Sequence, residues 1–207
     1  MAPNKIEEEW VYMSKGLKLT DILVTIVIAI VFGIIYRLWG DVSNVVKLAG
    51  LQLDQLVYGV WFMAATVAAL IIRKPGVALL AEVAAASGEL ISGSQYGVES
   101  LTYGIAQGLL AEMVFALFRY RSFSAATACL AGVGSAAASL VFDAFKGYLT
   151  DLQSWNLLLY FAFRFIGSVF FTGLCAYWLV KALEATGVTQ LVRPASRADY
   201  QALERRK

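Results

Sequence analysis

Five ionisable side chains, Glu82, Glu89, Glu112, Asp143 and Arg164, fall inside long apolar stretches. A charged group at the centre of a bilayer costs roughly 2.5 to 3.5 kcal/mol on insertion scales, so each one calls for a partner or a purpose. Glu82 and Arg164 lie at similar depth near the midplane and carry opposite charge. Their simplest expected role is a structural ion pair, which specifies packing more than it stabilises. Glu89 follows Glu82 by seven residues, close to two helical turns, so both project from one face. The stretch GELISGSQYGVES then adds Gln95, Tyr96 and Glu99 and contains no lysine or arginine. Tyr36, Trp39, Tyr58, Trp61, Tyr103, Tyr148, Trp155 and Tyr160 fall at the same rim. Any one of these rings is accounted for by the aromatic belt at a lipid interface. Carboxylates among them, with Asp143 in the outer third of its span, also suit a cup for a small, flat, cationic or amino-substituted heterocycle. Rings stack on rings, a cation sits over a π face, and carboxylates accept hydrogen bonds from amino groups.

The chain of 207 residues is 59% hydrophobic, with mean hydropathy +0.67, against roughly 45 to 50% apolar content in soluble domains. It belongs in a membrane. Several chemistries are excluded by what is missing. There is no histidine, which removes His-based acid–base catalysis and HExxH metal sites. Neither GxSxG nor GxxxxGK[ST] occurs, so no serine-hydrolase elbow and no P-loop ATPase site is expected. The net charge of +2 comes without a basic stripe, so nucleic acid is not a partner. Cys129 and Cys175 stand singly, without CxxC spacing, and suggest neither a metal site nor a disulfide. No cofactor is implied. The N-terminal residues are mixed in charge and lead into a run too long for a signal-peptide core, so no cleaved signal is expected.

About 20 mostly apolar residues span a bilayer as a helix, and six stretches qualify: 20–39, 56–73, 76–92, 98–118, 123–146 and 155–184. No alternating ten-residue pattern supports a barrel, which leaves an all-α integral membrane protein. Of 17 lysines and arginines, 13 fall at the termini and in the connections after the second and fourth spans. The positive-inside rule then puts both termini in the cytoplasm, N-in and C-in, in the cell membrane. The chain reads as one domain, 1–207, with a cytoplasmic N-terminal segment, 1–18, and a cytoplasmic tail, 186–207. Between the first and second spans, residues 40–56 are expected outside as a short interfacial helix over the bundle mouth, with a mobile lid as the sharper reading. Small residues recur every fourth position at Thr25, Ala29 and Gly33, and again at Ala128, Gly132 and Ala136, which lets helices approach closely. The second ladder reads as internal packing; the first suits internal packing or docking to another membrane protein.

Six spans, cytoplasmic termini, an external first loop, the small-residue step of the first helix and the run GELISGSQYGVESLTYG resemble the S components of energy-coupling-factor (ECF) vitamin transporters. The likeness covers about residues 15–190 and is greatest to the YkoE-type subunits associated with thiamine and its hydroxymethylpyrimidine precursor. The resemblance implies a membrane-embedded binding subunit that captures its vitamin at the extracellular side. It also implies a transmembrane coupling protein and cytoplasmic ATPases as partners, with Ala29 and Gly33 as the docking step; the family commonly has alanine at both positions. For a thiamine-like ligand the site residues implied are Glu89 at the aminopyrimidine, Gln95 as an orienting amide and Trp39, Trp61, Tyr96 or Tyr103 for stacking. Asp143 or Glu99 would lie near the cation. The competing reading is a self-sufficient proton-coupled secondary transporter of a small cationic or amino-substituted heterocycle, with Glu82, Glu112 and Arg164 as a relay. Its usual sign, an inverted repeat, is not visible in the two three-helix halves.

Overall fold

The computed structural model describes residues 16–192, so the expectations for the N-terminal segment and most of the tail lie outside the described residues. Among those residues every regular element is helical. Six rods follow one another: α1 (Leu19–Lys47), α2 (Asp54–Ile72), α3 (Val77–Ile91), α4 (Val98–Leu117), α5 (Ala125–Phe145) and α6 (Ser154–Ala185). A 3-10 turn, Val188–Leu191, closes the described chain.

Five of the six are long and apolar enough to cross a membrane. The exception is α3, whose 15 residues reach only about 22 Å at 1.5 Å per residue, short of a hydrocarbon core of about 30 Å. It packs between α1, α4 and α2. Its alanines, Ala78, Ala81, Ala85 and Ala86, are buried, so neighbouring helices cover much of it.

Helix α1 departs from expectation at its end. Residues 40–47 continue the same helix instead of forming a separate interfacial one, with Gly40 and Ser43 still buried. The 29 residues rise about 43 Å, which carries α1 past the hydrocarbon. The chain then reverses through Gly50, Leu51 and Gln52, all at positive φ (74°, 54° and 58°).

The small-residue ladders explain how the helices approach. Gly33 faces α3 so closely that an added Cβ would sit 3.0 Å from Gly88 Cα and 3.1 Å from the Ala85 carbonyl oxygen. Ala29 is likewise buried, and its carbonyl oxygen lies near Gly88. The expected docking step of Ala29 and Gly33 is therefore corrected: α3 already occupies it. On α5, a Cβ at Gly132 would meet the Ser168 carbonyl oxygen at 2.8 Å, so that ladder packs α5 on α6.

Helix α2 is the most buried span, with every residue from Gly59 through Ile72 inside the protein. It changes winding midway, from α (Asp54–Val57) through 3-10 (Tyr58–Phe62) back to α (Met63–Ile72). A restart of this kind leaves amide groups without an i−4 carbonyl. Two are satisfied by side chains: Ala64 N–H donates to Tyr36 Oη (2.9 Å) and Ala65 N–H to Glu82 Oε2 (3.0 Å).

One end of the bundle is tied shut. Glu112 of α4 receives the N–H groups of Gly76 (2.6 Å), Ala78 (2.9 Å) and Leu79 (3.3 Å) and the Tyr120 hydroxyl (2.6 Å). It is thus a cap supplied by another helix, matching the orphan donors and positive dipole end of α3. At the same end Lys74 pairs with Asp21 at 2.5 Å and Arg73 with Glu184 at 3.0 Å. The opposite end, where α1 ends and the α3–α4 and α5–α6 turns lie, is open.

Candidate functional site

A cavity of about 610 Å³ enters from that open end, within the range of small-molecule sites. All six helices contribute. Tyr36 and Asn44 come from α1, Gln55, Tyr58 and Trp61 from α2, and Glu82, Ala86 and Glu89 from α3. Tyr103 and Gln107 belong to α4, Asp143 to α5, and Tyr160 and Arg164 to α6. Six carboxylates line it, Asp54, Glu82, Glu89, Glu99, Asp143 and Asp151, against two basic groups, Lys47 and Arg164. The interior is therefore acidic.

The expected Glu82–Arg164 ion pair is not formed. Arg164 instead pairs with Asp143, Nη2 to Oδ2 at 3.0 Å. It also donates to Gln55 Oε1 from Nε (2.8 Å) and Nη2 (2.5 Å), to Ser139 Oγ (2.6 Å) and to the Tyr160 hydroxyl (2.9 Å). Its guanidinium carbon lies 3.4 Å from the Tyr58 ring centre. Partners on α2, α5 and α6 take up the donors of Arg164, while Glu82 is turned to Tyr36 of α1 and the Ala65 amide of α2. Asp143 is equally committed, accepting the hydroxyls of Tyr103 (2.7 Å) and Tyr160 (2.9 Å) as well as Arg164. So Asp143, expected near a bound cation, lines the cavity but is already neutralised.

The two α3 carboxylates are different. Glu82 is fully buried; its Oε2 accepts from Tyr36 (3.1 Å) and Ala65, while Oε1 has no partner. Glu89, 3% exposed, accepts from Ser94 Oγ (2.8 Å). Neither forms a salt bridge among the described residues. Trp61 Nε1 and Gln107 Nε2 are also buried without a hydrogen bond of normal length, although they lie beside Glu89 and Tyr58 respectively.

Aromatic rings complete the walls. Tyr58 and Trp61 pack with centroids 5.3 Å apart, and Tyr96 meets Trp61 edge-on at 5.8 Å. Burial raises the pKa of the Tyr96 phenol, so that loop residue is neutral at physiological pH. Tyr103 reaches in from α4.

Of the expected site residues, Glu89, Tyr96, Tyr103, Trp61, Asp143 and Glu99 line the cavity, and Trp39 and Gln95 do not. Trp39 turns toward α2 and α6, donating to the Val57 carbonyl (2.9 Å) with its ring edge-on to Phe171. Gln95 accepts from Asn44 Nδ2 (2.7 Å) and covers Gly40, which ties the α3–α4 turn to α1. Glu99 stands exposed at the mouth, where it holds Lys146 (2.6 Å) and Tyr148 (3.2 Å) and raises the pKa of both. Gln55, Gln107 and Ser139 were not anticipated. As uncharged polar groups in apolar surroundings they give a signal of their own, since buried amides and hydroxyls need partners too.

Comparison with known proteins agrees with this architecture. The family described as "ABC-type cobalt transport system, permease component" matches residues 20–138. A Bacillus subtilis (strain 168) protein assigned the name HMP/thiamine permease protein YkoE is 35% identical over 175 residues, covering 84% of this chain and 88% of its own. A crystal structure of an S component of an ECF transporter superposes with TM-score 0.81 at 33% identity, covering 92% of this chain and 95% of that one. The chain belongs to this permease family as an S component of an ECF vitamin transporter, a multi-pass membrane protein that binds substrate and is not an enzyme.

Proposed function

We propose that this subunit binds thiamine or its hydroxymethylpyrimidine precursor at the extracellular side and passes it to an ATP-driven ECF module. The observation that carries this reading is the pair Glu82 and Glu89, two carboxylates in one cavity with no cationic side chain bonded to either. A guest with a permanent positive charge and an amino-substituted ring supplies what they lack, and thiamine has both. The name of the Bacillus relative supports the same ligand class. Glu89 takes a donor of the guest, Trp61, Tyr96 and Tyr103 offer ring faces and edges, and Glu99 adds negative potential at the mouth. The open end of the bundle faces outward and both termini lie inside, in keeping with the basic residues gathered at the closed end.

The partners are a transmembrane coupling protein and cytoplasmic ATPases. Because Ala29 and Gly33 are covered by α3, a partner docking on α1 meets exposed apolar side chains such as Val27, Ile30, Val31 and Ile34. A proton relay through Glu82, Glu112 and Arg164 finds little support, since Glu112 caps α3 and Arg164 is held by Asp143.

Native mass spectrometry of the purified subunit tests the reading. A co-purifying species with the mass of thiamine or the pyrimidine supports it, as does binding without uptake when the protein alone is placed in liposomes. Proton-driven uptake by the isolated subunit would overturn it.

A further inference from the structure

At the closed end, away from the cavity, two cations in the α4–α5 turn have no acid to answer them. Among the described residues neither Arg119 nor Arg121 forms an ion pair or a side-chain hydrogen bond, and both are exposed. Their neighbours at that end are matched: Lys74 by Asp21, and Arg73 and Lys181 by Glu184. The acid closest in sequence, Glu112, is already filled by three amides and the Tyr120 hydroxyl. The turn that carries the arginines is fixed. Arg119 and Tyr120 both take positive φ, 54° each, a conformation that side chains rarely adopt unless the surroundings impose it. Here the amides of Arg119, Tyr120 and Arg121 donate to the carbonyls of Ala116 (2.7 Å), Phe115 (2.9 Å) and Phe118 (3.0 Å), and Phe115 stacks on Phe123 across the turn at 5.7 Å. Tyr120 is drawn inward to Glu112, and an exposed arginine stands on either side of it in the chain.

The helix leading into this turn adds an apolar track. Ile105, Leu109, Met113 and Leu117 recur at every fourth position of α4 and all are exposed, Leu117 by 79%. The 20 residues of α4 rise about 30 Å, the thickness of the hydrocarbon, so the arginines just past its end fall at headgroup level. We propose that the α4–α5 turn docks an anionic phospholipid of the cytoplasmic leaflet: Arg119 and Arg121 hold the headgroup phosphate, and the track along α4 takes the acyl chains. Charge complementarity selects this occupant, because the arginine fork matches phosphate and the cytoplasmic leaflet is the anionic one. A free phosphate would leave the track unused. The surface is separate from the exposed face of α1 offered to the coupling protein, since α1 packs on α3 and α2 while α4 packs on α3 and α5. The proposal takes the closed end as cytoplasmic, as above, and is independent of which guest fills the cavity.

Native mass spectrometry of the delipidated subunit in detergent, titrated with phosphatidylglycerol and with phosphatidylcholine of the same acyl chains, tests it. An arginine beside an anionic headgroup contributes about fivefold, so wild type should hold phosphatidylglycerol roughly tenfold or more tighter than phosphatidylcholine. Arg119→Gln/Arg121→Gln should remove that preference and leave thiamine affinity unchanged. Arg37→Gln/Lys181→Gln, which loses the same charge elsewhere, should keep it. If the first variant fails to fold, Arg121→Gln alone, at a residue of ordinary φ, should lower the preference about fivefold. Glycerol phosphate in excess should not displace the bound lipid, because it brings no chains for the α4 track. Equal binding of the two lipids by wild type, or a preference that survives loss of the arginines, overturns the proposal. So does a preference lost equally in the Arg37/Lys181 variant, which would make it a matter of net charge, and so does displacement by glycerol phosphate, which would make the turn a site for small anions. None of these outcomes touches the thiamine-class reading, which stands or falls on the cavity.

Discussion

Arg164 Nη2 lies 3.0 Å from Asp143 Oδ2, between the last helix and the fifth, and both groups are buried. This contact decides which acids of the cavity remain available, because it neutralises Asp143 and leaves Glu82 and Glu89 without a cation. Removing one partner of a buried pair strands the other, at about 3 to 5 kcal/mol. Asp143→Asn and Arg164→Ala should each lower the melting temperature sharply in detergent. The double variant should recover part of the loss. A cycle between Arg164 and Glu82 should show no such coupling, and strong coupling there would restore the pair expected from sequence.

Glu112 predicts a loss of stability with no loss of ligand contact. Glu112→Ala leaves the amides of Gly76, Ala78 and Leu79 without their acceptor, a cost of roughly 1 to 3 kcal/mol. The melting point should fall while the affinity of the folded fraction stays within about twofold, well under the 1.4 kcal/mol that marks a tenfold change.

Gly33 separates internal packing from docking. Gly33→Val places side-chain atoms against Gly88 and Ala85, where even a Cβ has only 3.0 to 3.1 Å. Overpacking of this kind costs typically 1 to 3 kcal/mol, so the isolated subunit itself should be destabilised. A variant that melts like wild type and fails only to bind a coupling protein would return Gly33 to the outer surface.

Glu89 and Glu99 should behave differently although both are acids at the open end. Glu89→Gln removes a buried charge from the binding wall and should weaken thiamine at least about tenfold, or 1.4 kcal/mol. Glu99→Gln acts on an exposed pair with Lys146, and exposed pairs contribute little. Its main effect should be a slower association rate at low salt, read by stopped-flow tryptophan fluorescence.

The spans were legible because hydrophobic length has one cause, the thickness of the bilayer, and the six predicted ranges fall on the six helices. Glu89, Trp61, Tyr96 and Tyr103 were legible for a related reason: acids and rings near one rim point to one chamber. Pairing was not legible. Sequence depth placed Glu82 and Arg164 at one level, yet depth says nothing of azimuth, and Arg164 turns toward α5 and α2. Trp39 and Gln95 failed on the same ground, having the right height and the wrong face. The part played by Tyr36 and Glu82 in completing α2 could not be read either, because it depends on a change of winding that sequence periodicity does not reveal.

The central claim is that the unpaired carboxylates of α3 hold a cationic or amino-substituted heterocycle. Its most direct measurement is calorimetric titration of thiamine onto the purified subunit without any partner protein. Saturable binding of one thiamine per chain, abolished in a Glu82→Gln/Glu89→Gln variant that melts like wild type, is the predicted result. Binding that survives unchanged in that folded double variant would contradict it.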